Sequence, residues 1–342
     1  MTKASRKITM QEVARLARVD ISTVSRALND SPVVKPDTKA NILRIAAETG
    51  YAVNAAARNL RRQSSGIIGL VIPILPDSGQ TISDPFYLEM VGAVSHAAAQ
   101  RGYDLIVSLP DHHDVDTERR LIQTGRADGL IMIGQAGRAE QLNALGDLAN
   151  RVVVWGGRLG RVKYTLVGSD NVKGGRLAAA HLLGLGRRRL LFLGDAALPE
   201  VALRYEGYKS AHAEAGVALD LALTLKLNFG GQAVYQAVLD LVDSGARFDG
   251  VVAASDVLAV SALQALQARG LHAPSDVAVV GYDNIGQSAM TTPPLTTIDQ
   301  HFRLGGERMV DLLLRKIAGK RAASTMLPTT LVVRGSCGAP AG

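Results

Sequence analysis

Residues Thr9 to Asn29 read TMQEVARLARVDISTVSRALN, and the folding of this stretch decides how the rest of the chain is understood. Thr9-Met10-Gln11-Glu12 has the form of a capping box, in which the threonine oxygen takes the amide three residues on and the glutamate reaches back to the cap. A helix starts there, with Val13, Leu16 and Ala17 recurring at helical spacing. After a break at Arg18-Val19, Asp20 provides a second cap, and Val24, Ala27 and Leu28 form one apolar stripe. The other face of this second helix carries Ile21, Ser22, Thr23, Ser25, Arg26 and Asn29. Short hydrogen-bonding groups with one guanidinium are what a helix lying in a major groove needs. An ordinary two-helix surface corner carries a similar set, so the motif alone leaves both readings open. A third helix is signalled over 36–49, with proline and aspartate in its first turn, Ile42, Ile45 and Ala46 facing inward, and Gly50 placed to stop it. Three helices in about 50 residues are sufficient for a DNA-reading head.

Charge points the same way. The chain has 38 Lys+Arg against 31 Asp+Glu, and residues 1–65, with 12 basic and 5 acidic residues, hold the entire excess of +7. A phosphate-binding module concentrates its charge where counterions are displaced, whereas an evenly basic enzyme spreads it. At 342 residues, with 47% hydrophobic content and 35 glycines, the chain suits an α/β protein of two or three domains. Its one cysteine, Cys337, builds neither a disulfide framework nor a cysteine-based zinc site. The first ten residues, MTKASRKITM, contain no apolar signal region, and no apolar run approaches membrane-spanning length. The expectation is a cytoplasmic protein with no membrane partner.

Beyond the head, Asn54-Ala55-Ala56-Ala57-Arg58-Asn59-Leu60-Arg61-Arg62 favours helix but is too short to hold one alone in water, and Gln63-Ser64-Ser65 is a spacer. From Gly66 onward, short apolar β-rich runs (66–72, 103–108, 129–133, 152–155, 189–193, 250–254 and 277–281) alternate with helical patterns (86–101, 172–185, 204–215, 234–242, 257–268 and 302–317). This βα rhythm predicts parallel sheets with helices on both faces. About 275 residues exceed one small doubly wound sheet, so two lobes are expected, with a ligand at the strand C-termini facing a cleft.

Catalytic signatures are weak. His112-His113-Asp114 with Asp116 lacks a spacing that converges on one metal ion, since adjacent histidines point to different sides of the chain. Gly286-Gln287-Ser288-Ala289-Met290 lacks the closing glycine of a nucleophile elbow, and neither a P-loop nor a dinucleotide-binding glycine motif occurs. No enzyme activity, metal or cofactor is expected.

The motifs V-A-x-x-A at 13–17, S-T-V-S-R-A-L-N at 22–29 and G-Y-x-x-N at 50–54 make the head resemble that of the lactose/galactose repressor (LacI/GalR) family of bacterial transcription regulators. One departure stands out: the family usually has Gly-Val-Ser in the turn where this chain has Arg18-Val19-Asp20. The resemblance continues through I-G-L-V-I-P near 68–73, D-P-F-Y at 84–87, A-D-G-L-I at 127–131, R-Y-E-G-Y at 204–208, A-x-S-D at 253–256, V-A-V-V-G-Y-D at 277–283 and P-P-L-T-T-I-D-Q at 293–300. It implies an α/β chain made of a helix-turn-helix head at 1–52, a hinge helix and linker at 53–65, and a two-lobed periplasmic-binding-protein-like core of doubly wound parallel sheets at 66–340. Lobe 1 then takes about 66–167 and 299–328, and lobe 2 about 168–298 and 329–340.

The same resemblance implies roles. Ile21, Ser22, Thr23 and Arg26 meet base edges, and Thr9, Ser25, Asn29, Ser31, Tyr51 and Asn54 hold phosphates and register. Ala57 and Leu60 belong to the hinge, with Leu60 as the wedge that kinks the minor groove. Phe86, Trp155, Arg204, Phe229, Asp256 and Asp283, with Gln135, Ser255 and Gln300, form the effector pocket. That set suits a polyol: carboxylates and a guanidinium bind vicinal hydroxyls, and rings cover the apolar face of a pyranose. The expected protein is a homodimeric repressor of carbohydrate-utilisation genes on a pseudo-palindromic double-stranded operator, controlled by a small sugar. A purine or nucleoside effector is the alternative within the fold, and a sugar-binding receptor without a DNA role is the alternative outside it. The receptor needs an export signal and has no use for a basic head. A dimer is expected because no leucine-heptad tail follows the last strand.

Overall fold

The computed structural model describes residues 8–28, 31–51, 64–74, 78–110, 115–135, 137–158 and 160–339. Asn29, Asn54, Ala57 and Leu60, and with them the hinge segment 53–63, lie outside the described residues, as do His112, His113 and Asp114. The chain divides into two compact units, Met1–Ser65 and Gly66–Gly342.

In the first unit, α1 (Met10–Ala17), α2 (Ile21–Leu28) and α3 (Pro36–Glu48) enclose a core of Val13, Ala14, Ala17, Val24, Ala27, Ile42 and Ile45. The capping box at Thr9 is formed: its backbone N–H donates to Glu12 Oε2 at 2.8 Å, and its hydroxyl accepts from the Glu12 amide at 3.3 Å. The inward face of α1 differs from the spacing read in the sequence. Ala14 is buried and Leu16 is 46% exposed, because small residues let three short helices close on one another and leave no room for a leucine at that contact. Between α1 and α2, Arg18 adopts a left-handed conformation (φ 52°, ψ 47°) that ends α1, and the Val19 amide donates to Ala14 O at 3.1 Å. Glycine takes this conformation without penalty, and another residue gives up about 1–2 kcal/mol.

Among the described residues the second unit contains two six-stranded sheets. The strands are β1 (Ile67–Val71), β2 (Asp104–Ser108), β3 (Gly129–Ile133), β4 (Val152–Trp155), β5 (Thr165–Ser169), β6 (Leu190–Leu193), β7 (Thr224–Leu225), β8 (Gly250–Ala253), β9 (Ala278–Asp283), β10 (Thr296–Asp299), β11 (Thr325–Leu327) and β12 (Thr330–Val332). The helices are α4 (Pro85–Ala99), α5 (Asp116–Gln123), α6 (Ala139–Asn143), α7 (Asn171–Gly184), α8 (Pro199–Glu214), α9 (Gly231–Asp243), α10 (Asp256–Ala268) and α11 (Phe302–Ile317). Strand order is β11-β5-β4-β3-β1-β2 in one sheet and β12-β10-β9-β8-β6-β7 in the other. All pairings are parallel except β10 with β12, where Ile298 lies opposite Leu331. The first lobe thus runs through β5 and returns with α11 and β11; the second runs from α7 to β10 and closes with β12. Among the described residues no helix is long and apolar enough to cross a membrane.

Two boundaries matter for the site. β5 and β10 escape a search for apolar runs, since Thr165, Ser169, Thr296 and Thr297 interrupt them; all four are nonetheless buried, as strands with a neighbour on each side and covered faces require. α8 starts at Pro199, five residues earlier than periodicity predicts, because Pro199 at the first helical position and Glu200 after it are start signals rather than apolar ones.

Helices α7 and α8 pack at glycine-lined contact. A Cβ on Gly207 would run into the Val172 carbonyl and one on Gly175 into the Arg204 carbonyl, both backbone atoms with no freedom to yield. We predict that Gly207→Ala lowers stability by about 1–3 kcal/mol through overpacking. Gly184→Ala, at the exposed end of α7 where a Cβ meets nothing within 4 Å, is neutral or stabilising. Thermal unfolding of both variants checks this, and equal melting temperatures would refute the close-packing account.

Candidate functional site

The C-terminal ends of both sheets open on one cavity of about 100 Å³, room for several waters at the roughly 10–15 Å³ each needs. Its floor is built around Arg204, on α8 and 7% exposed. The guanidinium lies over the Tyr282 ring at 3.8 Å, donates from Nε to Asn171 Oδ1 at 2.8 Å, and donates from Nη1 to the Ala254 carbonyl. Its Nη2 has no protein partner among the described residues, which leaves a planar donor for a ligand.

Asp283 ends β9 with φ 123°, a conformation a non-glycine residue holds only when its surroundings impose it. Its Oδ1 accepts from Gln300 Nε2 at 2.6 Å, and Gln300 Oε1 in turn accepts from the Ser169 hydroxyl at 2.6 Å. Burial pushes the Asp283 carboxyl well above the ordinary range, Arg204 pulls it back, and Asp256 adds to the rise.

The walls are aromatic. Trp155 ends β4 and meets the edge of Phe302 at 6.3 Å between centroids, and Phe86, at the start of α4, packs edge-on to Phe302 at 5.6 Å and Tyr87 at 5.1 Å. Phe229 stands on the opposite lobe, its amide donating to Ser78 O at 2.8 Å across the mouth of the cleft. Gln135 is fully buried between Gly157 O and the Tyr164 hydroxyl, and Ser255 caps α10 by accepting from the Leu258 amide at 3.3 Å.

Of the nine effector residues expected from the sequence, the fold brings Phe86, Gln135, Trp155, Arg204, Phe229, Ser255, Asp283 and Gln300 to the cavity wall. Asp256 is a correction. It is fully buried behind the wall, where its carboxyl oxygens accept from the Thr297 hydroxyl and from the Ile285 amide at 3.0 Å. As the first residue of α10 its side chain turns back toward β10 instead of forward into the cleft.

Residues the sequence did not single out also line the cavity: Asn171, Ser169, Glu200, Asp84, Gln80 and Tyr87. Asp84 caps α4, accepting from the Phe86 amide at 2.9 Å, and burial raises its carboxyl. Glu200 accepts from the Gly157 amide of the other lobe at 3.3 Å. Each sits at the first turn of a helix, where a capping residue reads as purely structural. Among the described residues no cluster of three metal-ligating side chains exists.

On the head, α2 exposes Ile21 (46%), Ser22 and Arg26, with Thr23 and Ser25 half-buried beside them. Thr9 is exposed at its cap, Ser31 donates its amide to Arg26 O at 3.0 Å, and the half-buried Tyr51 packs on the head core.

Comparison with known proteins places both units. Residues 9–54 match the family described as bacterial regulatory proteins, lacI family, and 179–337 match the periplasmic binding protein-like domain. The HTH-type transcriptional regulator CelR of Thermobifida fusca is 32% identical over 339 residues, covering 97% of this chain and 98% of CelR. The chain belongs to the LacI family.

Similar solved structures include a CelR-cellobiose complex (30% identity, TM-score 0.69, 96% of this chain and 99% of that one). The Lac repressor dimer bound to operator and the anti-inducer ONPF aligns with TM-score 0.83 at 25% identity, over 97% and 99% of the two chains. As a LacI-family member this chain is a DNA-binding transcription regulator and not an enzyme. The left-handed Arg18 also explains the glycine usual in the family at this turn: the geometry is kept here at a conformational cost.

The Asp256 network yields a signed prediction. Its carboxyl is raised by burial above the usual range, so the folded protein holds a proton there that the unfolded chain releases above about pH 4. The associated stability is complete below that pH and is lost as pH rises through the raised pKa. Asp256→Asn offers one acceptor where two donors point in, lowering stability at neutral pH by about 1–3 kcal/mol, and it makes the decline above pH 4 shallower. Urea unfolding across pH measures both, and an unaltered slope would rule out this role.

Proposed function

We propose that the protein is a cytoplasmic homodimeric repressor of carbohydrate-utilisation genes whose grip on a pseudo-palindromic operator is set by a small saccharide in the cleft. The observation that carries this reading is the pairing of Arg204 and Asp283 on the cavity floor with aromatic walls from both lobes. Donor and acceptor lie where vicinal hydroxyls need both, and Trp155, Phe86 and Phe229 offer flat apolar cover for a sugar ring. The likeness to CelR and to its cellobiose complex supports the same ligand class. A regulator of this family acts where the operator is, which supports a cytoplasmic address.

In this reading 1–52 is the DNA-binding head, 53–65 the hinge, and 66–340 the sensing and dimerisation core. Ile21, Ser22, Thr23 and Arg26 read base edges; Thr9, Ser25, Asn29, Ser31, Tyr51 and Asn54 fix phosphates and register. Ala57 and Leu60 act in the hinge, with Leu60 unstacking a base step. Hydrogen bonds from one lobe to the other, Phe229 to Ser78 and Gly157 to Glu200, run along the cleft. A ligand between them changes the preferred lobe angle and thereby the spacing of the two hinges, and operator affinity falls.

Two outcomes are expected. A sugar that alters the fluorescence of Trp155, the only tryptophan, also releases operator DNA; release by purines or nucleosides alone would replace the saccharide with the alternative effector. Arg26→Ala weakens operator binding about 10–100-fold, the worth of one good base contact, and affects a random duplex much less. Equal losses in electrophoretic mobility titrations would move Arg26 from base reading to phosphate contact.

A further inference from the structure

Four helix N-termini end at the cavity. Phe86 at the start of α4, Asn171 at the start of α7, Glu200 at the start of α8 and Ser255 capping α10 all line it. Such ends present unpaired amides and partial positive charge, and a pocket where several converge ordinarily draws a phosphate.

Here first-turn amides of two of these ends are taken by acidic side chains of the same protein, a third by a serine, and the fourth has a carboxylate in its first turn. Asp84 takes the Phe86 amide at 2.9 Å, Asp170 takes the Lys173 amide at 2.9 Å, Ser255 takes the Leu258 amide of α10 at 3.3 Å, and Glu200 stands in the first turn of α8. Pro199 removes one further donor from α8. Among the described residues no lysine lines the cavity, and its one guanidinium, Arg204, has Nε and Nη1 committed to Asn171 and Ala254 and stacks on Tyr282. Three acidic residues, Asp84, Glu200 and Asp283, line the same space. Burial raises Asp84 and Asp283 above their ordinary range, so the cavity already penalises the negative charge it contains.

We infer that the cleft selects an uncharged saccharide and turns away its phosphate esters, with Glu200 as the residue that sets this selectivity. The inference rests on the saccharide reading above and narrows it. Glu200 is the determinant because it stands at the wall and reaches across to the Gly157 amide, so a ligand closing the lobes is brought against its carboxyl. A dianionic ester placed there meets like charge in a desolvated site.

The test uses the full-length protein, with Trp155 fluorescence and calorimetry as readouts. The probes are common mono- and disaccharides paired with their esters, among them D-glucose with glucose 6-phosphate, D-ribose with ribose 5-phosphate, and cellobiose with cellobiose 6′-phosphate. The expected result is a neutral sugar that binds and an ester of it that binds at least about 100-fold more weakly. Inorganic phosphate leaves the bound sugar in place. In Glu200→Gln, which keeps an acceptor for Gly157 without the charge, the ratio of ester to sugar dissociation constants narrows about tenfold. An ester binding as tightly as its sugar, or displacement by inorganic phosphate, overturns the inference and leaves the saccharide reading standing. An unchanged ratio in Glu200→Gln removes Glu200 as the determinant. Binding by neither member of any pair overturns the saccharide reading itself, and the inference with it.

Discussion

The sensing core is organised by one buried cation. Taking the Arg204 guanidinium out of water costs several kcal/mol, and it is tolerated only where hydrogen bonds and opposite charge surround it. The chain supplies these from three separate elements: Asn171 at the start of α7, the Ala254 carbonyl after β8, and, on β9, the Tyr282 face and Asp283 at the strand end. They converge only because α7 and α8 touch backbone to backbone. Gly174 lies against Tyr282, Gly175 against the Arg204 carbonyl and Gly207 against Val172, each at a distance no side chain permits. Packing of two helices therefore fixes the position of one guanidinium, and the guanidinium fixes the floor of the ligand site.

The site also stands where the chain passes between lobes. The first crossing follows β5, whose last residue is Ser169, and the second follows β10, after which comes Gln300; both residues line the cavity and are hydrogen-bonded to each other. A ligand that engages Asp283 and Gln300 thus touches the segments about which the lobes turn. Binding and lobe angle share the same atoms, so differential affinity for two lobe arrangements follows without a separate relay.

How much of this was legible in the sequence depends on which physical signal a residue leaves. The capping box at Thr9 and the inward stripe of α3 are local, and local chemistry decides them. Arg204, Asp283 and Gln300 were legible through the resemblance, and Asp283 also through its place at a strand end. Glu200 and Asn171 were not, since a polar residue in a first helical turn is fully explained by capping, and its second role arises only when another element is brought opposite. Asp256 failed for the converse reason: its motif and its strand-end position resemble those of Asp283. The direction in which a side chain leaves the first turn of a helix, toward β10 in this case, is set by tertiary packing. Leu16 shows the same limit in the head, where periodicity marks it as inward and the small radius of a three-helix core takes Ala14 in its place beside Val13 and Ala17.

Charge divides the labour between the two units. The first 65 residues carry the whole +7 excess, and the remainder is neutral overall, so the long-range field that draws a polyanion belongs to the head. The cleft opposes that preference locally, with Asp84 and Asp170 on the first-turn amides of α4 and α7 and Glu200 in the first turn of α8. A cell is full of phosphorylated metabolites and nucleic acid, and a cleft attractive to anions would be occupied whatever the supply of its effector. Placing attraction for phosphate in one unit and aversion to it in the other lets the same chain hold DNA and sense an uncharged ligand without either process interfering with the other.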